Sequence, residues 1–141
     1  MNWIACAIGA ALFYGLHQIF TKLASQGIGD GIGGFVVEAT AAVTIGLYLV
    51  FLRYSGRWNQ SFTSSGFSYS VLTGICVGVG TILFFQLFQR GGPLSSVPAI
   101  LAGGSALMAV AGFFFFKEPV TWQRLAGITF SLVGLWLLKS N

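Results

Sequence analysis

His17 and Glu38 are the side chains in this sequence best suited to handling a proton inside an apolar environment. His17 is the sole histidine, and Glu38 is one of three acidic residues, with Asp30 and Glu118. Glu38 stands in an otherwise apolar run, where an ionisable group is costly and marks function by default. Gln18 and Gln86 offer amide donors and acceptors in similar surroundings, and Tyr14 offers a phenol. This set does not spell an enzyme, because catalysis would require paired acids, an activated nucleophile or a metal-ligand cluster, and the spacing supplies none. Cys6 and Cys76 lie in separate apolar runs, without CxxC or Cys/His spacing, and read as small buried apolar side chains. No metal and no cofactor is expected.

The elements that must position these residues follow from composition. Of 141 residues 55% are hydrophobic and 7% charged, against roughly 25% charged in a soluble domain. The chain is therefore read as an all-α integral membrane protein. A helix needs about 20 mainly apolar residues to cross a bilayer, and five runs qualify, at about 3–24, 32–52, 68–89, 94–116 and 119–138. The first starts at Trp3 without a basic segment before it and outruns the core of a signal peptide, so it is expected to be retained as a helix. Short breaks carry turn chemistry: SQGIGDG at 25–31, RGGP at 90–93 and Lys117–Glu118. Only 53–67 is a long polar loop. Trp3, Trp122 and Trp136 fall near helix ends, where interfacial aromatics belong.

Short loops make neighbouring helices antiparallel. With the side of Met1 called side A, that side collects Arg53, Arg57, Lys117 and Arg124, and side B collects Lys22, Arg90 and Lys139. Four against three is almost no positive-inside bias, so the orientation of the N-terminus stays open. The net charge of +4 is scattered, which excludes a nucleic-acid footprint.

At 100° per residue, Ala7, Ala10, Ala11, Tyr14, His17, Gln18 and Thr21 share one face of the first helix. Leu12, Leu16, Ile19, Phe20 and Leu23 share the opposite face and are expected to meet lipid. In the second helix Glu38 shares a face with Gly31, Gly34, Ala41 and Ala42, opposite Val36, Val43, Leu47 and Phe51. His17, Gln18 and Glu38 each lie about seven residues, or roughly 10 Å, inside side B. Gln86, Gln89, Ser95, Ser96 and Pro98 gather at the same side, as for a cavity open to one side and sealed toward the other. A hairpin of the first two helices is expected to bring His17 and Gln18 to Glu38. Lys22 is expected to snorkel to side B. Gly127, Ser131 and Gly134 form a stripe on the fifth helix that would admit close approach of another helix.

The closing stretch FFFFKEPVTWQRLAGITFSLVGLWLL (113–138) resembles the last helix pair of EamA-type domains of the drug/metabolite transporter superfamily. Glu118, Gly127 and Gly134 fall on that pattern, and Lys117 stands where the family usually has Gly. The same stretch is similar to the end of the small multidrug resistance proteins, which also share a first helix of this spacing down to Lys22. The glutamate essential to their proton/cationic-drug exchange would fall at Tyr14, so that chemistry is not carried over. The resemblance implies a single EamA-like domain over 1–141. It also implies one five-helix half of an inverted-repeat transporter, paired with a second copy, most simply antiparallel, or with a paralogous five-helix subunit.

These readings converge on a multi-pass protein of a prokaryotic plasma membrane. Its leading function is secondary transport of a small organic solute by alternating access as a dimer. The substrate or coupling-ion set is Glu38, His17, Gln18, Tyr14 and Gln86, and the dimer contact is Gly127, Ser131 and Gly134. A lipid-linked sugar flippase subunit and a non-transporting scaffold subunit are the alternatives. Lipid and a small molecule are the remaining partners, with no nucleic acid.

Overall fold

The computed structural model describes residues 2–139; the side chains of residues 131, 135, 138 and 139 lie outside the description. Among the described residues the chain is all helical. The elements are α1 (Trp3–Ala24), α2 (Asp30–Tyr54), α3 (Ser64–Gln89), a 3-10 turn (Leu94–Ser96) running into α4 (Val97–Phe114), and α5 (Trp122–Lys139). Four of these segments, Trp3–Ala24, Asp30–Tyr54, Ser64–Gln89 and Leu94–Phe114, are long and apolar enough to cross a membrane. Their outward faces carry large apolar side chains without cover. Leu12, Leu16, Ile19, Phe20 and Leu23 of α1, and Val36, Val43, Leu47 and Phe51 of α2, are all exposed. So much contiguous apolar surface is a liability in water and is ordinary against lipid. The chain is an all-α membrane protein.

Helix ends are set by local chemistry. α2 begins at Asp30, two residues before its apolar run, because a carboxylate in the first turn complements the helix dipole. α3 begins at Ser64, four residues early, because the Thr63 hydroxyl caps it by accepting from Gly66 N–H at 3.1 Å. α3 ends in a Schellman motif: Gly92 N–H donates to Leu87 C=O at 2.9 Å and Gly91 N–H to Phe88 C=O at 3.1 Å. That geometry requires φ of +85° at Gly91, which glycine adopts without steric cost. α5 begins at Trp122 rather than at Pro119, with Thr121 Oγ1 accepting from Arg124 N–H at 3.4 Å.

The chain divides into two compact units, one ending at Gly92 and one beginning at Pro93. In the first, α2 packs against α3, and α1 also packs on α3; in the second, α4 packs along α5. The inward face expected of α1 is realised in its last two turns, where Gln18 and Thr21 are buried and His17 half-buried. Tyr14, one turn earlier, is 67% exposed.

Candidate functional site

The α2–α3 seam can be followed inward from side B. At its rim, the Gln86 amide donates to the Asp30 carboxylate at 2.7 Å, and the Gln89 amide donates to the Ile28 carbonyl at 3.0 Å. The next level is apolar. The Phe85 ring, 0% exposed, lies against Gly33 so closely that a Cβ at that position would overlap it. A Cβ at Gly34 would meet Ile82 at 3.4 Å, so this position also faces α3 closely. One further turn in, the Thr81 hydroxyl donates to the Glu38 carboxylate at 2.6 Å. That distance lies at the short end of the range for O–H···O bonds. Thr81 is 4% exposed and Glu38 is half-buried. Glu38 follows Asp30 by eight residues of helix, about 12 Å along the axis.

The structure therefore brings Glu38 together with α3, whereas the sequence pattern pointed to the first hairpin. Neither His17 nor Gln18 makes a hydrogen bond to it. The Nδ1 of His17 and the Oε1 of Gln18 are buried with no hydrogen-bond partner, a state that costs about 1–3 kcal/mol for each group. Gln18 is 8% exposed overall. Beside them, the Thr21 hydroxyl donates to the His17 carbonyl at 2.8 Å, one turn back on the same helix. Gln86 is engaged by Asp30 and not by Glu38, and exposed Tyr14 lies outside this packed region.

Thr81 is absent from the residues singled out by sequence, yet it is the donor that Glu38 uses. A register argument finds it. Once Asp30 is set opposite Gln86 in an antiparallel pair, Glu38 must face the region near residue 80, and Thr81 is the hydroxyl there. Thr81, Phe85 and Phe88, the buried residues of α3, also recur at helical spacing.

Lys22 does not simply reach for water. Its ammonium donates to the Gly92 carbonyl at 3.3 Å and lies 5.6 Å from the centroid of the Phe88 ring. A cation there is favoured by the carbonyl end of α3 and by the ring face.

In the second unit a cleft of about 370 Å³ opens between α4 and α5, lined in part by Ser105, Gly112, Phe113 and Gly127. Glu118 and Arg124 also line it, paired at 2.8 Å with both side chains about half exposed. Arg124 donates further to the Pro119 carbonyl at 3.2 Å. In the preceding turn Lys117 has φ +52°, a left-handed value rare outside glycine. Among the described residues, a Cβ at Gly127 or Gly134 would meet nothing within 4 Å. The side chain of Ser131, the third residue of that stripe, lies outside the described residues. No group of His, Cys, Asp and Glu that could hold a metal ion occurs among the described residues.

The description of the EamA-like transporter family matches residues 1–140. Among curated proteins, the chain is 31% identical over 101 residues to the probable 4-amino-4-deoxy-L-arabinose-phosphoundecaprenol flippase subunit ArnE of Hamiltonella defensa, covering 65% of this chain and 90% of that one. It is 38% identical over 81 residues to the multidrug resistance protein EbrB of Bacillus licheniformis, covering 55% of this chain and 68% of that one. It is 25% identical over 144 residues to the uncharacterized transporter YvbV of Bacillus subtilis, covering 98% of this chain and 45% of that longer protein. No solved structure matches. With a family match over nearly its whole length and helices of membrane-crossing length and polarity, the chain belongs to the EamA-like transporter family.

Proposed function

We propose that this chain is one five-span unit of a secondary transporter for a small organic solute in a prokaryotic plasma membrane, with α5 as the fifth span. It works by alternating access, as a dimer with a second copy or with a paralogous subunit. The observation that carries the reading is the Thr81–Glu38 bond of 2.6 Å, behind the side-B rim of the α2–α3 seam. A carboxylate removed from bulk water needs a donor or cation to remain ionised. Thr81 supplies one donor, and a protonated or cationic visitor supplies the rest. Exchange of that visitor as the site is exposed and covered is what coupling requires. The unpartnered atoms of His17 and Gln18 leave hydrogen-bonding capacity for a solute on α1.

Support for a dimer comes from Gly127 and Gly134, where a Cβ would meet no described atom within 4 Å, and from the even spread of positive charge over the two sides, which suits an antiparallel pair. The flippase reading keeps a place because the relative that this chain covers over 90% of its length is named as a flippase subunit. Reconstitution separates these readings. Uptake of a water-soluble metabolite into proteoliposomes, driven by a pH gradient and abolished by dissipating it, supports the transporter. Translocation of a fluorescent polyprenyl-phosphate sugar without solute uptake supports the flippase, and neither activity in any subunit pairing leaves the scaffold.

A further inference from the structure

Three side chains tie the side-B end of α3 to its neighbours in the first unit. Gln86 and Gln89, one turn apart and on one face of α3, reach the start of α2 and the turn before it. Lys22, in the last turn of α1, reaches the Gly92 carbonyl that follows α3. Directly beneath this layer the Phe85 ring fills the notch at Gly33, and beneath the ring lies the Thr81–Glu38 bond. The order from side B inward is thus tethers, plug, carboxylate. The sequence pattern suggested an opening at this side; along the α2–α3 seam the structure is closed there.

We infer that the tethers from Gln86, Gln89 and Lys22, with the Phe85 plug in the Gly33 notch, form a gate on side B that must release before Glu38 can be reached along this seam. The bonds suit a gate because none of them is deeply buried. Lys22, Ile28, Asp30 and Gln86 are half-buried and Gln89 is exposed, so water can replace each partner as it leaves. The apolar plug below supplies the seal, and the glycine at 33 lets the ring seat without a side chain in its path. The inference takes its purpose from the reading of Glu38 as the coupling group, but its test needs no transport.

That test is thiol accessibility. In a chain whose Cys6 and Cys76 are replaced by Ala, Thr81→Cys is placed behind the plug and labelled with a membrane-impermeant methanethiosulfonate. Lysines added to the 53–67 loop fix one orientation of the chain in the vesicles, and Gly29→Cys, at an exposed position with open space around it, identifies side B. With the tethers intact, labelling of Thr81→Cys from side B is slow. Adding Gln86→Ala or Lys22→Ala accelerates it about fivefold for each bond removed, the factor that corresponds to a net hydrogen bond of about 1 kcal/mol. The isosteric exchange Asp30→Asn with Gln86→Glu rebuilds an amide–carboxylate pair in the opposite sense and restores slow labelling. Unchanged labelling of Gly29→Cys in every variant shows that the hairpin still folds. Equal labelling of Thr81→Cys with and without the tethers overturns the gate, as does failure of the exchange to restore protection. A failed gate leaves the Glu38 reading standing, since that reading is tested by the pH dependence of flux.

Discussion

At the scale of the residue, the proposed site centres on the Glu38–Thr81 bond. Thr81→Val keeps the shape and removes the donor, leaving a partly buried carboxylate oxygen short of one partner, at a cost of about 1–3 kcal/mol. We expect it to slow solute flux and to move the pH profile, whereas Thr81→Ser, which retains the hydroxyl, stays near wild type; identical profiles for the two variants would make the bond incidental. Gly33→Ala tests the packing beneath the rim. Its methyl group must displace the Phe85 ring, and we expect a loss of about 1–3 kcal/mol in stability, read as a lowered Tm in detergent. Glu38 was legible in the sequence because a carboxylate in an apolar run stands out. Thr81 was not, because threonines in helices commonly bond their own preceding turn. Thr21, Thr44, Thr73 and Thr129 do so here, each to the carbonyl four residues back. Thr81 turns instead to a neighbouring helix, which only the register of α2 against α3 discloses.

At the scale of the element, hydropathy marked five runs; each contains a helix, four of the helices are long and apolar enough to cross a membrane, and the ends were misjudged. α2 and α3 each begin earlier than their apolar runs because Asp30 and the Thr63 cap are polar groups doing helical work. The inward stripe of α1 was correct where α1 meets α3 and has no counterpart near Tyr14, since periodicity states which residues share a face and not how far along the helix that face is packed. The turn between α4 and α5 offers a test of its own. Lys117 holds φ +52° at the position where the resembling family usually has glycine. A non-glycine residue held there costs about 1–2 kcal/mol. Lys117→Gly is therefore expected to raise stability by up to about that amount, less what glycine loses in unfolded-chain entropy. A Tm that falls in this variant would mean that the lysine side chain contributes more than its backbone costs.

At the scale of the whole molecule, side and partner are the questions. Ser64 opens α3 and Gly29 precedes α2, so the length of α2 separates them. In a chain carrying cysteines at both positions and Ala at Cys6 and Cys76, an impermeant reagent applied from one side should modify one of the two and not both, whichever way the chain is inserted, and two modifications per chain from one side would contradict the spanning of α2. For assembly, Gly127→Leu with Gly134→Leu adds bulk at two positions where a Cβ meets no described atom within 4 Å. We expect this double variant to fold and to lose intersubunit crosslinking, because a bulky stripe blocks close helix approach. Retained crosslinking would place the dimer contact elsewhere. Family membership was legible from the 113–138 stretch, whereas the substrate was not. The solute-facing surface of such a transporter depends on how helices from both halves meet, and no single stretch encodes that.

The central claim is that Glu38 exchanges the proton or cation that drives transport, and Glu38→Gln tests it most directly. The substitution keeps size and hydrogen-bonding capacity while removing titration. Solute flux into proteoliposomes is measured across a range of pH for wild type and variant, once a transported solute is in hand. Flux that loses its pH dependence and its response to an imposed pH gradient in Glu38→Gln is the predicted result. A wild-type pH profile in that variant would contradict the account.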